Sequence, residues 1–349
     1  MRVKYADIAR ALGVSKATVS LALNGKPGVN EKTRQEIFEC RQRLENGVSF
    51  QEAGHLGEPA YGYGKQIRIV LFSAGMKNVI GAELDLWTDV EVVFQTYARR
   101  RGLSISRIYY DVEKDTPELL EDCNDPEVEG VIIVATELLK KDIPLLERIR
   151  KPCVMFDSDL MKAGYPSVLF DNRNGVEMAV DYLVSKGHRD ILYLGMSQPM
   201  YNYASRKRGF RESLEIRDLP WSEDRVLRTG STVDEVYDFM KNWLEENPLP
   251  DAFLMESYHV SISVMRALRE KKIKVPRDIS LIGVDELPPY LTGDMKMTAI
   301  RVPHTERAYW VMQMLFKEMD DPVDSKPKLY MDCALSEGVT VCEKISCTD

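Results

Sequence analysis

Residues 3–24 read VKYADIARALGVSKATVSLALN, and this stretch decides how the N-terminal part of the chain folds. Apolar side chains recur on one face of a first predicted helix, at Tyr5, Ile8, Ala9 and Leu12. Gly13 follows where helices commonly end in a left-handed residue. Ser15 is then placed to cap a second helix, in which Val19 and Leu23 lie one turn apart. The stretch therefore predicts two short helices joined by a tight turn.

The other face of the second predicted helix carries short or cationic side chains. They are Ser15, Lys16, Ala17, Thr18 and Ser20. Short side chains let a helix lie close to the base edges in a DNA major groove. Two helices and a glycine turn also fit an ordinary helical hairpin with a polar face, so spacing alone leaves both interpretations open.

Length and charge suggest more than one unit. The chain has 349 residues, which exceeds the usual size of one domain. Residues 1–50 hold 9 Lys/Arg against 5 Asp/Glu, a net charge of +4, and the remainder holds 38 against 50, a net charge of −12. A basic N-terminal module on an acidic body suits a protein whose first module meets phosphate.

The sequence lacks the motifs that are typical of several classes of protein. The six cysteines show no C-x-x-C spacing, the N-terminus has no apolar signal core, and no run reaches membrane-spanning length. We therefore expect a soluble, cytoplasmic protein with reduced thiols and no membrane partner. The four histidines are far apart, and no G-x-S-x-G, P-loop or dinucleotide-binding motif is present, so no catalytic residue, metal site or cofactor is expected.

A third helix is predicted over residues 31–45, capped by Asn30, with Ile37, Phe38 and Leu44 as apolar contacts. The following residues, 47–66, are rich in glycine and predict a flexible linker. From Ile67 onward, short apolar runs alternate with helical stretches. The predicted strands are 67–72, 103–109, 131–135, 153–156, 191–194, 252–255 and 279–284. The predicted helices are 86–101, 174–186, 205–215, 233–245, 260–271 and 305–318. This pattern is typical of an α/β, doubly wound parallel sheet, here in two halves.

The order of residues in the N-terminal stretch resembles the headpiece of the lactose-repressor (LacI/GalR) family of bacterial transcription regulators. The matching pattern is A-D-I-A-x-x-L-G-V-S-x-x-T-V-S-x-x-L-N-G-K-x-x-V. Body segments are similar to the same family at 130–134, 170–175, 187–191, 206–210, 275–285 and 298–303. The resemblance implies a three-helix, helix-turn-helix headpiece and a periplasmic-binding-protein-like body of two subdomains. A homodimer is expected, because one headpiece reads a half-site and two-fold symmetry reads a palindrome.

The resemblance also implies domain boundaries. The DNA-binding headpiece would cover residues 1–46, the linker or hinge 47–66, and the ligand-binding and dimerisation body 67–349. Within the body, the first subdomain is expected over 67–165 and 293–303, and the second over 166–292 and 304–349. The chain would cross between them near residues 165, 292 and 325.

The linker departs from the family pattern. In the family a hinge helix folds on DNA and inserts a leucine into the minor groove, with the pattern P-N-x-x-A-x-x-L. Here Ser49 begins a capping box, but an ungapped match puts His55 on the leucine and Leu56 one place late. Gly54 also weakens a helix by roughly 1 kcal/mol relative to alanine. We expect this hinge to contribute little to DNA bending.

Polar residues at predicted strand ends and helix starts mark a ligand site, since ligands in such folds bind at the carboxyl ends of strands. Asp157 follows the strand 153–156, Asp285 follows 279–284, and Arg206 opens a helix. Their paired hydrogen-bonding atoms suit vicinal hydroxyls, although strand-end aspartates also serve simply as helix caps. The resemblance implies that such positions contact sugars, nucleosides or purines. The candidate ligand-binding residues are Ser73, Asp157, Phe170, Asn202, Arg206, Ser257, Tyr258 and Asp285.

The candidate DNA-binding residues are Lys4, Ser15, Lys16, Ala17, Thr18, Ser20, Leu21, Asn24, Asn30 and Thr33. Where relatives often have Arg after T-V-S, this chain has Leu21, which can offer only apolar contact to a base. The alternative, in which Leu21 packs inward against the third helix, stays open.

The sequence thus favours a sequence-specific DNA-binding regulator, a repressor, whose operator affinity is controlled by a small ligand such as a sugar. The alternatives are a cytosolic solute-binding protein or an α/β sugar enzyme with an unrelated helical N-terminus. The missing signal peptide and phosphate-binding loops count against them. A phosphorylated partner protein acting as corepressor is a further alternative.

Overall fold

The computed structural model describes residues 4–12, 14–23, 29, 33–34, 37–38, 40–41, 64–73, 84–160, 164–292 and 295–344. The chain divides into two compact units, Met1–Gly64 and Lys65–Asp349. None of the helices within the described ranges combines the length and apolar character that a membrane span requires.

The first unit contains helices α1 (Tyr5–Leu12) and α2 (Lys16–Leu23), where the sequence predicted them. The Oγ of Ser15 accepts a hydrogen bond of 3.0 Å from the backbone N–H of Thr18, so Ser15 is the N-cap of α2. The described residues of the third predicted helix are helical. One of them, Arg34, donates through Nη1 to the carbonyl of Ala22 at 2.8 Å and so satisfies an acceptor in the last turn of α2.

A small apolar core joins these helices. Its fully buried side chains are Ile8, Ala9, Val19, Ala22, Ile37 and Cys40. Two predicted core residues lie outside it, since Tyr5 is 42% exposed and Phe38 is 47% exposed. Smaller side chains, including Ala22 and Cys40, take buried positions in this core.

The second unit contains two six-stranded sheets. The first consists of β1 (Gln66–Ser73), β2 (Ser104–Asp111), β3 (Val128–Val134), β4 (Cys153–Phe156), β5 (Ser167–Phe170) and β11 (Lys328–Met331). The second consists of β6 (Ile191–Gly195), β7 (Val226–Arg228), β8 (Ala252–Met255), β9 (Ser280–Val284), β10 (Thr298–Arg301) and β12 (Ala334–Ser336). The strand orders are β11-β5-β4-β3-β1-β2 and β12-β10-β9-β8-β6-β7. Each pair is parallel except β10–β12, which is antiparallel.

Helices lie between the strands in the α/β order that the sequence predicted. They are α3 (Leu84–Arg100), α4 (Ile143–Leu146), α5 (Asn172–Ser185), α6 (Tyr201–Ile216), α7 (Val233–Glu246), α8 (Tyr258–Glu270), α9 (Pro289–Thr292) and α10 (His304–Asp320). Short 3-10 helices cover Pro117–Asn124, Lys140–Asp142 and Glu223–Arg225.

Both faces of each sheet are covered, and β1 shows why its sequence is apolar on both faces from Ile69 to Phe72. Ile67, Ile69 and Leu71 pack in one core with α3 and α10. Val70 and Phe72 pack in the core on the opposite face. A strand buried on both sides carries apolar residues at successive positions, unlike a half-exposed strand with period-two alternation.

The strand pairing corrects the predicted subdomain boundaries. The segment 298–301, expected in the first subdomain, is β10 and pairs with β9 of the second sheet. The segments 167–170 and 328–331, expected in the second, are β5 and β11 and belong to the first sheet. Helix α10 also packs on the first sheet. The chain therefore crosses after Phe170, Arg301 and Met331, because hydrogen-bond partners, not the strand's own sequence, decide which sheet it joins.

Candidate ligand-binding site and DNA-binding surface

Residues from both subdomains of the body line one cleft. The described lining residues are Trp87, Val90, Thr136, Phe156, Asp157, Phe170, Met200, Asn202, Tyr203, Arg206, Ser257, Asp285, His304 and Arg307. The part of the cleft that can hold the centres of water-sized molecules has a volume of about 60 Å³, so the space between the subdomains is narrow.

Two aspartates stand at strand ends in the same backbone conformation. Asp157 directly follows β4 with φ 71°, and Asp285 directly follows β9 with φ 73°. Aspartate is one of the few side chains that adopt this left-handed region with some frequency. The two sheets thus end in equivalent acidic turns, one on each side of the cleft.

The Asp157 carboxylate connects the two subdomains. Its Oδ1 accepts a 2.5 Å hydrogen bond from Nη2 of Arg307. Its Oδ2 accepts from Oγ1 of Thr136 at 2.9 Å and from Nδ2 of Asn202 at 3.0 Å. Thr136 and Arg307 belong to the first subdomain, whereas Asn202 lies in α6 of the second. Both oxygens of Asp157 are therefore engaged within the protein.

Arg206 lies in the second turn of α6 rather than at its start, which corrects the prediction, because the helix begins at Tyr201. The side chain is 5% exposed. Its Nε donates to Oδ1 of Asn172 at 2.8 Å, and its Nη1 donates to the carbonyl of Glu256 at 2.6 Å. Its Cζ lies 4.9 Å from the centroid of the Phe170 ring. Two hydrogen bonds and an aromatic face hold the guanidinium in one orientation.

Asp285 faces a cationic environment. Its Oδ1 lies 3.0 Å from Nε2 of His304. Burial acts to raise the pKa of Asp285, but the hydrogen bond with His304 and the nearby His304, Arg206 and Arg307 charges outweigh it, so the pKa is lowered. The carboxylate is therefore ionised at neutral pH.

A second buried carboxyl lies directly behind Arg206. Glu256 accepts from the Tyr193 hydroxyl at 2.7 Å and from the Met196 backbone N–H at 2.8 Å. Burial raises the pKa of Glu256 to about 7, although these hydrogen bonds and the Arg206 charge oppose the shift. Glu256 does not belong to the described cleft lining.

The structure brings together most of the candidate ligand-binding residues. Those in the cleft are Asp157, Phe170, Asn202, Arg206, Ser257 and Asp285. Two candidates do not belong to the described lining. Tyr258 packs in a core of the second sheet, and Ser73 lies at the end of β1.

Sequence reasoning did not select His304 or Arg307, which also line the cleft. His304 follows β10 closely, so the strand-end rule that found the aspartates could have found it. Arg307 carries no such signal. It lies in the first turn of α10 and reaches the cleft only because that helix packs on the first sheet.

The candidate DNA-binding residues of the headpiece vary in exposure. Lys4, Ser15 and Lys16 are exposed, whereas Thr18, Ser20, Leu21 and Thr33 are half-buried. Ala17 is part of α2. The partly buried apolar residues that pack on the described headpiece core are Leu12, Val14, Leu23 and Val29, without Leu21. The candidates Asn24, Asn30, Ser49, His55 and Leu56 lie outside the described residues.

Comparisons with known proteins agree with this architecture. Residues 5–45 match the family described as bacterial regulatory proteins, lacI family, and residues 180–341 match the periplasmic binding protein-like domain. Catabolite control protein A of Priestia megaterium is 25% identical over 93% of this chain and 95% of its own.

Two solved structures have the same fold over almost the whole chain. The regulator CelR in complex with cellobiose superposes with a TM-score of 0.68 at 20% identity, covering 97% of this chain and all of its own. The lac repressor dimer bound to operator and the anti-inducer ONPF gives a TM-score of 0.67 at 20% identity, covering 98% of this chain and all of its own. The chain therefore belongs to the LacI family of bacterial regulatory proteins and is a DNA-binding transcriptional regulator, not an enzyme.

Proposed function

We propose that the protein is a repressor that binds its operator as a homodimer and changes its operator affinity when a sugar binds in the cleft. The observation that carries this proposal is the convergence of polar side chains from both subdomains on one cleft. A ligand that contacts Asp157 and Arg206 together touches both subdomains, so it binds a closed arrangement better than an open one. Such a difference in affinity is what a ligand needs to shift a conformational equilibrium.

The composition of the cleft supports a sugar as the ligand. Arg206 and Asp285 offer a donor and an acceptor for hydroxyl groups, and the Phe170 and Trp87 rings offer apolar faces for the C–H side of a pyranose. The related regulator CelR was solved with cellobiose. The proposed recognition surface for DNA is the exposed side of α2, with Lys16, Thr18 and Ser20, in a headpiece that covers residues 1–46.

Two measurements test the proposal. A gel shift of the full-length protein on the DNA upstream of its own gene should show a specific complex whose affinity changes with an added sugar. A thermal-shift screen of monosaccharides and disaccharides should identify that sugar, because a ligand at 100 times its Kd adds about 2.7 kcal/mol of stability. A specific DNA complex that responds to none of the stabilising sugars would contradict the assignment of the effector.

A further inference from the structure

We infer that the effector is an anionic sugar, one that carries a carboxylate or a phosphate group, and that Arg307 is the residue that selects for this charge. The inference rests on the proposed function, since it assumes that the cleft is the effector site. It concerns the chemical class of the sugar and a residue to which no role has been given above.

Arg307 is an unusual side chain for a ligand cleft, because it is both charged and only 2% exposed. Its Cζ lies 4.7 Å from the centroid of the Phe156 ring and 5.7 Å from that of Phe170. Arg206 approaches the same Phe170 ring from the second subdomain. The cleft therefore contains two buried guanidinium groups, one from each subdomain, near one aromatic ring.

Among the described residues of the cleft, most carboxylate oxygens already accept hydrogen bonds, whereas several guanidinium N–H groups do not donate one. Both oxygens of Asp157 already accept hydrogen bonds, and Asp285 uses one oxygen on His304. Arg307 donates through Nη2 to Asp157, but its buried Nε has no hydrogen-bond partner in the described part of the chain. Arg206 uses Nε and Nη1, and a guanidinium has five N–H donors. The cleft is therefore richer in available donors than in available acceptors.

This imbalance favours a ligand group that only accepts hydrogen bonds. A neutral sugar hydroxyl donates as well as accepts, and most carboxylate oxygens in this cleft are already occupied. A ligand carboxylate or phosphate supplies two or three acceptor oxygens, and guanidinium groups bind such oxygens with charge-assisted hydrogen bonds.

Matched sugars test the inference by titration calorimetry on the full-length protein. The probes are D-glucose, D-glucuronate and glucose 6-phosphate, together with D-galactose, D-galacturonate and galactose 6-phosphate. We expect at least one charged member to bind about tenfold or more tightly than its neutral parent. Whether the carboxylates or the phosphates bind better identifies the anionic group, and either preference supports the inference.

Variants then test the role of Arg307. Removal of Arg307 alone would leave Asp157 buried without its charge partner, so the test variant combines R307L with D157N. The matched control is D157N alone, which keeps the guanidinium. D157N changes a cleft residue, so the quantity compared is the ratio of affinities for the charged and the neutral sugar within each variant. We expect this ratio to stay at or above the wild-type value in D157N, which loses a negative charge but keeps the guanidinium, and to fall by about tenfold or more in the double variant. If the double variant does not fold, Arg307→Lys serves instead, and it should lower the preference, since lysine lacks the planar fork of donors.

Two results would overturn the inference by different routes. If a neutral sugar binds as tightly as its charged counterparts, or the Arg307 variants keep the wild-type preference, the charge selection is wrong and the sugar-binding proposal stands. If none of the six compounds binds but the thermal-shift screen identifies a neutral sugar, this inference fails and the sugar-binding proposal stands.

Discussion

Arg206 is held by groups of two kinds, a side-chain amide and a main-chain carbonyl, before any ligand arrives. Its bonds to Asn172 and Glu256 fix the guanidinium at the cleft wall, so little conformational entropy is lost when a ligand binds. Asp285 is held in the same way by His304. This preorganisation makes both residues good targets for substitution.

We predict that Arg206→Ala or Asp285→Ala abolishes the response to effector and leaves operator binding in place. Loss of a charged hydrogen-bonding partner should cost roughly 1.5–3 kcal/mol, or tenfold or more in effector affinity. The measurement is effector titration by calorimetry, together with a gel shift without effector. The matched control is Arg208→Ala on the same helix, whose exposed side chain lies outside the cleft lining. Unchanged effector affinity in both cleft variants would show that the ligand binds elsewhere.

The stability of the protein should depend on Glu256 over a defined range of pH. Burial raises the pKa of Glu256 to about 7 from the value of 4.5 for an unperturbed carboxyl. Between these values the folded protein holds a proton that the unfolded chain has lost, so this residue makes stability fall as pH rises from about 4.5 to about 7. Above pH 7 the loss is complete.

We predict that Glu256→Gln removes this contribution and stabilises the protein at pH 8 by on the order of 1–3 kcal/mol. The amide oxygen can still accept from the Met196 N–H, and the amide NH₂ can donate to the Tyr193 hydroxyl. Urea unfolding at pH 5, 6, 7 and 8 measures the difference between variant and wild type. A difference that does not grow with pH would mean that Glu256 ionises at the same pH in both states.

At the scale of one element, the sequence of α2 specifies the helix and its buried face but not what Leu21 contacts. Ser15 caps it, and Val19 and Ala22 bury one face. Leu21 is half-buried and does not belong to the residues that pack on the described headpiece core, so both alternatives for its side chain stay open.

We predict that Leu21→Arg creates a requirement for G·C at one operator position, because arginine pairs with guanine O6 and N7. The expected discrimination is roughly 1–3 kcal/mol against the wrong base. Binding selection from randomised half-sites with the wild-type and variant proteins measures it. Leu21→Met is the control for size without charge. If all three proteins select the same half-site, residue 21 does not face the groove.

At the scale of the whole molecule, the body depends on contacts that cross the cleft. Asp157 and Asp159 both lie after β4 in the first subdomain. Asn202 donates to Asp157. Burial, the charge of Asp159 and a side-chain hydrogen bond with it raise the pKa of Tyr201, which lies in α6. The start of α6 thus bonds to the acidic turn of the other subdomain at two neighbouring points.

We predict that Tyr201→Phe weakens effector binding about threefold to tenfold, because it removes the hydroxyl that hydrogen-bonds with Asp159 and Tyr330 across the cleft. Tyr201 is not a described lining residue of the cleft, so a direct loss of ligand contact is not expected. The matched control is Tyr109→Phe, whose side chain is 61% exposed on β2 and does not belong to the described cleft lining. Tyr330→Phe is a second test variant, because Tyr330 donates to Asp159 at 2.7 Å and also hydrogen-bonds with Tyr201 across the cleft. Equal effector affinity in Tyr201→Phe and the control would show that these bonds do not support effector binding.

The sequence by itself determined the type and order of the elements. Periodicity and apolar runs predicted α1, α2 and most body strands and helices, because each is specified by the residues within it. Ser15 was predicted as a helix cap, and Asp157 and Asp285 were predicted as cleft residues at strand ends. Helix capping and the strand-end position can both be recognised from a few neighbouring residues. The strands that were not among those predicted are β5, β7, β10, β11 and β12. Each is only three or four residues long, which is too short for a clear periodic pattern.

Only the tertiary structure decided how distant parts of the chain meet. It placed β10 in the second sheet and β11 in the first, since strand pairing depends on backbone groups far away in the chain. It also brought Arg307 to Asp157 across 150 residues of sequence. No local sequence pattern predicts that contact, because it forms only when α10 packs on the first sheet. The buried charge of Arg307 is then stabilised by the opposite charge of Asp157.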